Sequence, residues 1–263
     1  MAPSLLAARR ALLESLYADL NRRELVSPDP IQFLYAYDDP LDREIVALIA
    51  SVLAYGRVTG ICRSVGWVLA RLPSPRAAIC SGSPAALAAG MTGFRHRFTT
   101  DQELTQLLLG MKTAILRYGS LRECFLEGLS DGDHTTLGAL EHLVRQLNPG
   151  GARTSLLPPP SRGSACKRLH LFLRWLVRRD DVDPGGWEAI GAARLIVPLD
   201  THMFRIARRL GLTMRTCADT EAAVEVTEGF RAFRPDDPVR YDFALTRLGM
   251  GPGEAEFVSR WPL

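Results

Sequence analysis

The chain of 263 residues carries 32 basic and 29 acidic side chains, a formal net charge of +3 at pH 7, and a composition of 47% hydrophobic and 23% charged residues. These proportions describe a globular protein, not a disordered or fibrous one, and the length allows one large domain or two lobes. No apolar run reaches the ~18–20 residues that a membrane span needs, and Arg9 and Arg10 interrupt the N-terminal stretch too early for a signal peptide.

Helical periodicity dominates the chain. Ile45, Leu48, Ile49, Val52 and Leu53 form an apolar stripe at helical spacing, with Pro40 and Asp42 as start signals and Gly56 as the stop. Leu104, Leu107, Leu108, Met111 and Ile115 predict a second helix ending near Gly119, and Leu137, Leu140, Leu143, Val144 and Leu147 a third, closed by Asn148-Pro149-Gly150-Gly151. A turn-rich connector, Leu156 to Gly163, leads into the cleanest stripe of all, Leu169, Phe172, Leu173, Leu176 and Val177. Met203, Ile206, Ala207 and Leu210 predict a short helix closed by Gly211. Asp219 is expected to cap a helix burying Ala223, Val226 and Phe230, and Asp237-Pro238 to open one running to Leu248 and Gly249. With no strand alternation or hairpin signal, the expected class is all-α, with about ten helices.

The cysteines, Cys62, Cys80, Cys124, Cys166 and Cys217, are scattered and lack metal-ligand spacing. They read as reduced thiols of a cytoplasmic protein, with neither a metal nor an organic cofactor expected. Two features of the charge stand out. Only Lys112 and Lys167 are lysines; the other thirty basic residues are arginines, a bias that a GC-rich genome explains. Residues 162–215 hold eleven basic and five acidic side chains, a local net charge of +6 against −3 for the rest, which suggests a basic face toward a polyanion or a solvated helical surface.

The run Val197-Pro198-Leu199-Asp200-Thr201-His202-Met203, continuing through Arg205, Arg208 and Arg209 to Leu210-Gly211-Leu212, resembles a hallmark of the helix-hairpin-helix DNA glycosylase superfamily. Asp39 to Arg57 is similar to that superfamily's early helix, whose end wedges at the lesion, and Leu108 to Leu121 to its mid-domain helix. The overall pattern looks most like an uncharacterised bacterial family of the superfamily, with archaeal 8-oxoguanine glycosylases as the nearest relatives of known activity. The resemblance implies a two-lobed fold with a degenerate hairpin: residues 57–165 as a helical barrel lobe, and 1–56 plus 166–263 as the second. It implies a cytoplasmic, monomeric repair enzyme that flips a damaged base, such as 8-oxoguanine, out of double-stranded DNA, with no membrane association.

Asp200 would stabilise the positive charge that grows on deoxyribose as the glycosidic bond breaks; read by itself, it is equally an N-cap. Lys167, which opens the cleanest helix after the Gly163 turn, would be the Schiff-base nucleophile, with Lys112 as the mid-helix alternative. By the same resemblance Arg57, Arg162, Gly163, Arg168, Arg205, Arg208 and Arg209 would contact DNA, and Trp187, Trp67 or Phe94 would stack on the extruded base. His202 reads as a hydrogen-bonded core histidine. Two departures mark the chain: of the hairpin's usual glycines only Gly163 is present, and Lys167 and Asp200 lie 33 positions apart, the extra length falling at Arg178 to Trp187. The rival readings are a non-catalytic helical DNA-binding protein and a glycosylase using Asp200 alone.

Overall fold

Caps and breakers divide the chain into thirteen α-helices among the described residues of a computed structural model, 3–151, 154–249 and 253–261. Met1 and Ala2 of the N-terminal stretch lie outside them. The first five helices are α1 (Pro3–Leu20), α2 (Pro40–Val52), α3 (Val58–Leu69), α4 (Pro75–Ser81) and α5 (Pro84–Met91). After a small hairpin of β1 (Arg95–His96) and β2 (Thr99–Thr100) come α6 (Asp101–Tyr118), α7 (Leu121–Leu126) and α8 (Leu137–Leu147). The last are α9 (Lys167–Val177), α10 (Thr201–Arg209), α11 (Thr220–Arg231), α12 (Asp242–Gly249) and α13 (Gly253–Ser259). The protein is thus all-α apart from that hairpin. None of its described helices is long and apolar enough to cross a membrane.

Local chemistry accounts for most helix starts. Asp39 accepts from the Leu41 N–H at 2.9 Å with Pro40 at the first position of α2. Thr100 and Glu103 form a reciprocal capping box on α6, and Asp219 accepts from the Ala222 N–H at 2.8 Å to open α11. Asp237-Pro238 behaves differently from the sequence expectation. It makes a turn, and the helix opens only at Asp242, because both Asp237 carboxylate oxygens accept from Arg178 Nε at 3.0 Å and are no longer available to cap. The hairpin was also unforeseen. Two-residue strands are too short to show alternation; Arg95 pairs with Thr100 and His96 with Thr99.

Packing follows the stripes. α9 lies along α2, burying Leu169, Phe172, Leu173 and Leu176 against Ile45, Leu48, Ile49 and Val52 in one core that also includes Leu13 and Trp261. On one side α2 meets α4 and α7, which pack with α6 and α8; elsewhere α12 joins α1, α10 and α13. Glu44 of α2 is buried and accepts from the backbone N–H of Leu121 at 2.7 Å and of Arg122 at 3.1 Å, so a side chain of one helix caps the start of another. Burial pushes the Glu44 carboxyl up to about 7 despite these donors.

Candidate active site

The starts of α9 and α10 meet across a cleft of about 780 Å³. Cys166, the residue before α9, is held at a left-handed φ of 46°, a conformation costly for a residue with a β-carbon. Its N–H donates to Ser164 Oγ at 3.2 Å, and its thiol donates to the Pro158 carbonyl at 3.2 Å. Burial pushes that thiol up to about 11, so it serves packing and not reactivity. The sharp turn it makes sends Lys167 into the cleft.

Asp200 enters from the other side. Its Oδ1 accepts from the N–H groups of His202 at 3.0 Å and Met203 at 2.8 Å, capping α10. Its Oδ2 is left for Lys167, whose Nζ lies 3.4 Å away. Each side chain is about a third exposed, at 32% and 35%, so the pair opens to solvent on the cleft side. The cap and the ion pair use different oxygens of one carboxylate, and the two readings of Asp200 are compatible.

Behind the pair runs a buried charge network that the sequence reading missed. Arg174 lines the cleft and binds Asp242, which lines it too, and Arg174 Nη2 also meets Asp183 at 3.2 Å. Asp183 is in turn held by Arg178, which also meets Asp180 at 2.8 Å. Arg174, Arg178, Asp183 and Asp242 are all buried, a burden tolerable only because each charge is paired. Burial pushes the Asp242 carboxyl up, and the Arg174 guanidinium opposes that. The extra length between Arg178 and Trp187 is therefore a structural clasp. Arg174 had a readable signal: it stands seven positions after Lys167 and Leu171 four, one helical face, and all three line the cleft. Asp242 had none.

The structure places several of the expected site residues away from the cleft or in other contacts. Trp187 is buried against Phe125 and Phe172, with its indole N–H donating to Glu44 at 3.3 Å, and it does not line the cleft. Trp67 and Phe94 pack on each other at 5.3 Å, also away from it. The aromatic walls are Tyr55, Trp175 and Phe243. Arg168 turns inward, donating to the carbonyls of Val52 and Ser155 and lying over the Tyr55 ring, so it holds the cleft wall and does not project toward a phosphate. Arg205 and Arg209 are both committed to Glu254, at 2.7 and 2.8 Å. Gly163 adopts a left-handed φ of 77°, and its own N–H donates to Pro160 O at 3.0 Å. His202 is half-buried, its Nδ1 accepting from Arg205 at 2.9 Å. Lys112 donates to the Gly82 carbonyl, outside the cleft.

Arg57, Arg162 and Arg208 are exposed and make no ion pair among the described residues. Arg57 stands between Gly56 and Val58, and Arg162 two positions before Ser164, all three neighbours being cleft residues. The +6 of residues 162–215 is thus not one basic face: much of it is internal or already paired. A second groove of about 880 Å³, between α5, α6 and residues 147–157, has no lysine, histidine or cysteine among the described residues lining it.

No curated protein and no solved structure matches the chain. Residues 29–251, which include Lys167, Asp200, Arg174 and Asp242, match a family described as protein of unknown function (DUF2400), and over that span the chain belongs to this family.

Proposed function

We propose that this protein is a DNA base-excision glycosylase with AP-lyase activity, built on a two-lobed fold of the helix-hairpin-helix glycosylase type with a degenerate hairpin. The single observation that carries the reading is the meeting of Lys167 Nζ and Asp200 Oδ2 at 3.4 Å in a cleft walled by aromatics. A primary amine, a fixed carboxylate and a cavity within the ~300–1,000 Å³ range of ligand sites support excision of an extruded base through a covalent intermediate.

The chemistry balances with groups of the chain, DNA and water. Lys167 Nζ gives a proton to water, and the freed lone pair bonds to the anomeric carbon with the Asp200 carboxylate beside it. The glycosidic C–N bond breaks, its electron pair leaving with the base, which takes a proton from water. The hydroxide left by that transfer takes the second amine proton; the sugar ring opens, its oxygen taking a proton from water, and the protonated Schiff base forms. The hydroxide left by ring opening removes a proton from the adjacent carbon, and the electron pair so freed expels the 3′ phosphate, cutting the strand. Asp200, fixed at the start of α10 by two N–H donors to its other oxygen, faces the positive charge of the first step. Duplex DNA bearing an oxidised purine such as 8-oxoguanine is the proposed substrate, with Arg57, Arg162 and Arg208 as phosphate contacts and the protein acting as a monomer.

One observation favours a second reading: the amine stands in an ion pair, and a lysine kept there would leave Asp200 to work with water as the nucleophile. Incubating the protein with an 8-oxoguanine duplex separates the two. The bifunctional reading expects strand scission without alkali, lost in Lys167→Gln; base release that survives Lys167→Gln and cuts only after alkali supports the second. Absence of both from the wild-type protein rejects the glycosylase.

A further inference from the structure

Helix α5 departs from the pattern of a surface helix. Its residues, Pro84 to Met91, include no polar side chain, yet only Leu87 and Met91 are buried. A helix that is apolar all round is normally enclosed. Ala88 and Ala89 on its open side form one wall of the groove of about 880 Å³, and Leu147, Pro149 and Leu156 form another.

Helix α6 lies between them and carries two faces. Leu104, Leu107, Leu108, Met111 and Ile115 are buried in the core. Gln102, Gln106, Leu109, Thr113 and Leu116 follow one another at steps of four, three, four and three, the seam by which one helix packs along a second. The first four line the groove, and Leu116, 65% exposed, continues the seam beyond it. At 1.5 Å per residue the seam runs ~21 Å, about four turns. Thr105 also lines the groove; it is only 7% exposed, and no hydrogen bond joins its hydroxyl to another described residue. Such a group is left for whatever fills the groove.

The charge of the groove is one-sided. Asp101 and Glu103, both at the α6 start, are the only charged residues among the described ones lining it, and neither forms an ion pair with a described residue. They also serve the fold: Asp101 Oδ2 accepts from the Gly93 N–H and Glu103 Oε2 from the Thr100 N–H, each at 3.0 Å. A groove whose charges are all acidic repels a nucleic acid and attracts a cation.

We infer that this groove docks an amphipathic helix of another protein, with apolar side chains at three–four spacing on one face and arginine or lysine in its last turn. The inference does not depend on the glycosylase reading. A helical occupant keeps its own backbone N–H and C=O groups paired and matches the seam. Lying antiparallel to α6, it sets its cationic last turn over Asp101 and Glu103 and its apolar first turns over Leu109 and Leu116. A second copy of this chain does not fit by the same face, because a two-fold contact would set groove against groove.

The test uses the full chain and a fluorescein-labelled peptide of about fifteen residues, the length of the seam. It carries leucine and alanine at three–four spacing, glutamine elsewhere and arginines in the last turn. Fluorescence anisotropy is expected to show saturable binding that weakens about tenfold or more when glutamates replace the arginines. Ala89→Arg, which fills the groove, should abolish binding. Glu103→Gln, which keeps the capping box, should weaken it about two- to fivefold, the worth of an exposed charge pair. Both variants should melt with the wild type, as most exposed substitutions do. No binding by the wild type, equal binding of the arginine and glutamate peptides, or equal binding by Ala89→Arg overturns the inference. Sedimentation of the free protein as a dimer that Ala89→Arg dissociates would give the groove to a second copy and overturn it as well.

Discussion

Lys167 and Asp200, 33 positions apart in sequence, meet through one carboxylate oxygen while the other oxygen of Asp200 caps α10. This division gives Asp200 two separable jobs. Oδ1 anchors the helix start, which fixes where Oδ2 stands, and Oδ2 faces the amine. Lys167 is fixed in turn by the strained Cys166 turn at the start of α9.

Substitution should pull the two jobs apart. Asparagine caps helices as well as aspartate, so Asp200→Asn is expected to melt close to the wild type, whereas Asp200→Ala should lose about 1 kcal/mol. Both should lose excision by a hundredfold or more, on the order of a displaced electrostatic stabiliser. Thermal melts beside single-turnover rates make the comparison. An Asp200→Asn protein that keeps full activity would reduce Asp200 to a cap.

The clasp behind the site should govern stability. Removing Arg174 leaves two buried carboxylates, Asp183 and Asp242, short of a partner. Breaking a buried pair from one side costs about 3–5 kcal/mol, far more than a surface ion pair contributes. Arg174→Met should lower the urea midpoint accordingly, and Arg174→Met with Asp242→Leu should recover part of the loss. A single variant as stable as the wild type would show that the network carries little.

Acid stability has a source in α9. His170 is fully buried, its Nδ1 has no hydrogen-bond partner among the described residues, and burial lowers its pKa to about 4. The unfolded chain takes up this proton near pH 6.5 and the folded protein only near 4, so the group's contribution is complete above the first value. It is lost as pH falls from one to the other, by up to about 3 kcal/mol. His170→Leu removes this dependence, so the difference in unfolding free energy between the two proteins should vary over that interval and level off above it. A difference that is constant with pH would contradict the assignment.

Much of this was legible in the chain because local rules decide it. Leu104 to Ile115 and Leu169 to Val177 carry unbroken helical stripes, and the caps at Asp200 and Asp219 follow from side chains one residue outside their helices. Lys167 and Asp200 were found through a resemblance, and their distance through the fold. What stayed hidden depends on partners far along the chain. Asp237 reads as a cap until Arg178 takes its carboxylate, and Trp187 reads as a stacking platform until Glu44, Phe125 and Phe172 enclose it. The positive segment reads as one face because sequence does not show which arginines point inward.

The central claim is that the Lys167 amine forms a covalent bond with the sugar of a damaged nucleotide. Borohydride reduction in the presence of an 8-oxoguanine or abasic duplex, followed by peptide mass mapping, tests it directly. The account predicts a stable protein–DNA adduct on Lys167, absent from Lys167→Gln and retained by Lys112→Gln. No adduct with the wild type, or one unaffected by Lys167→Gln, would contradict it.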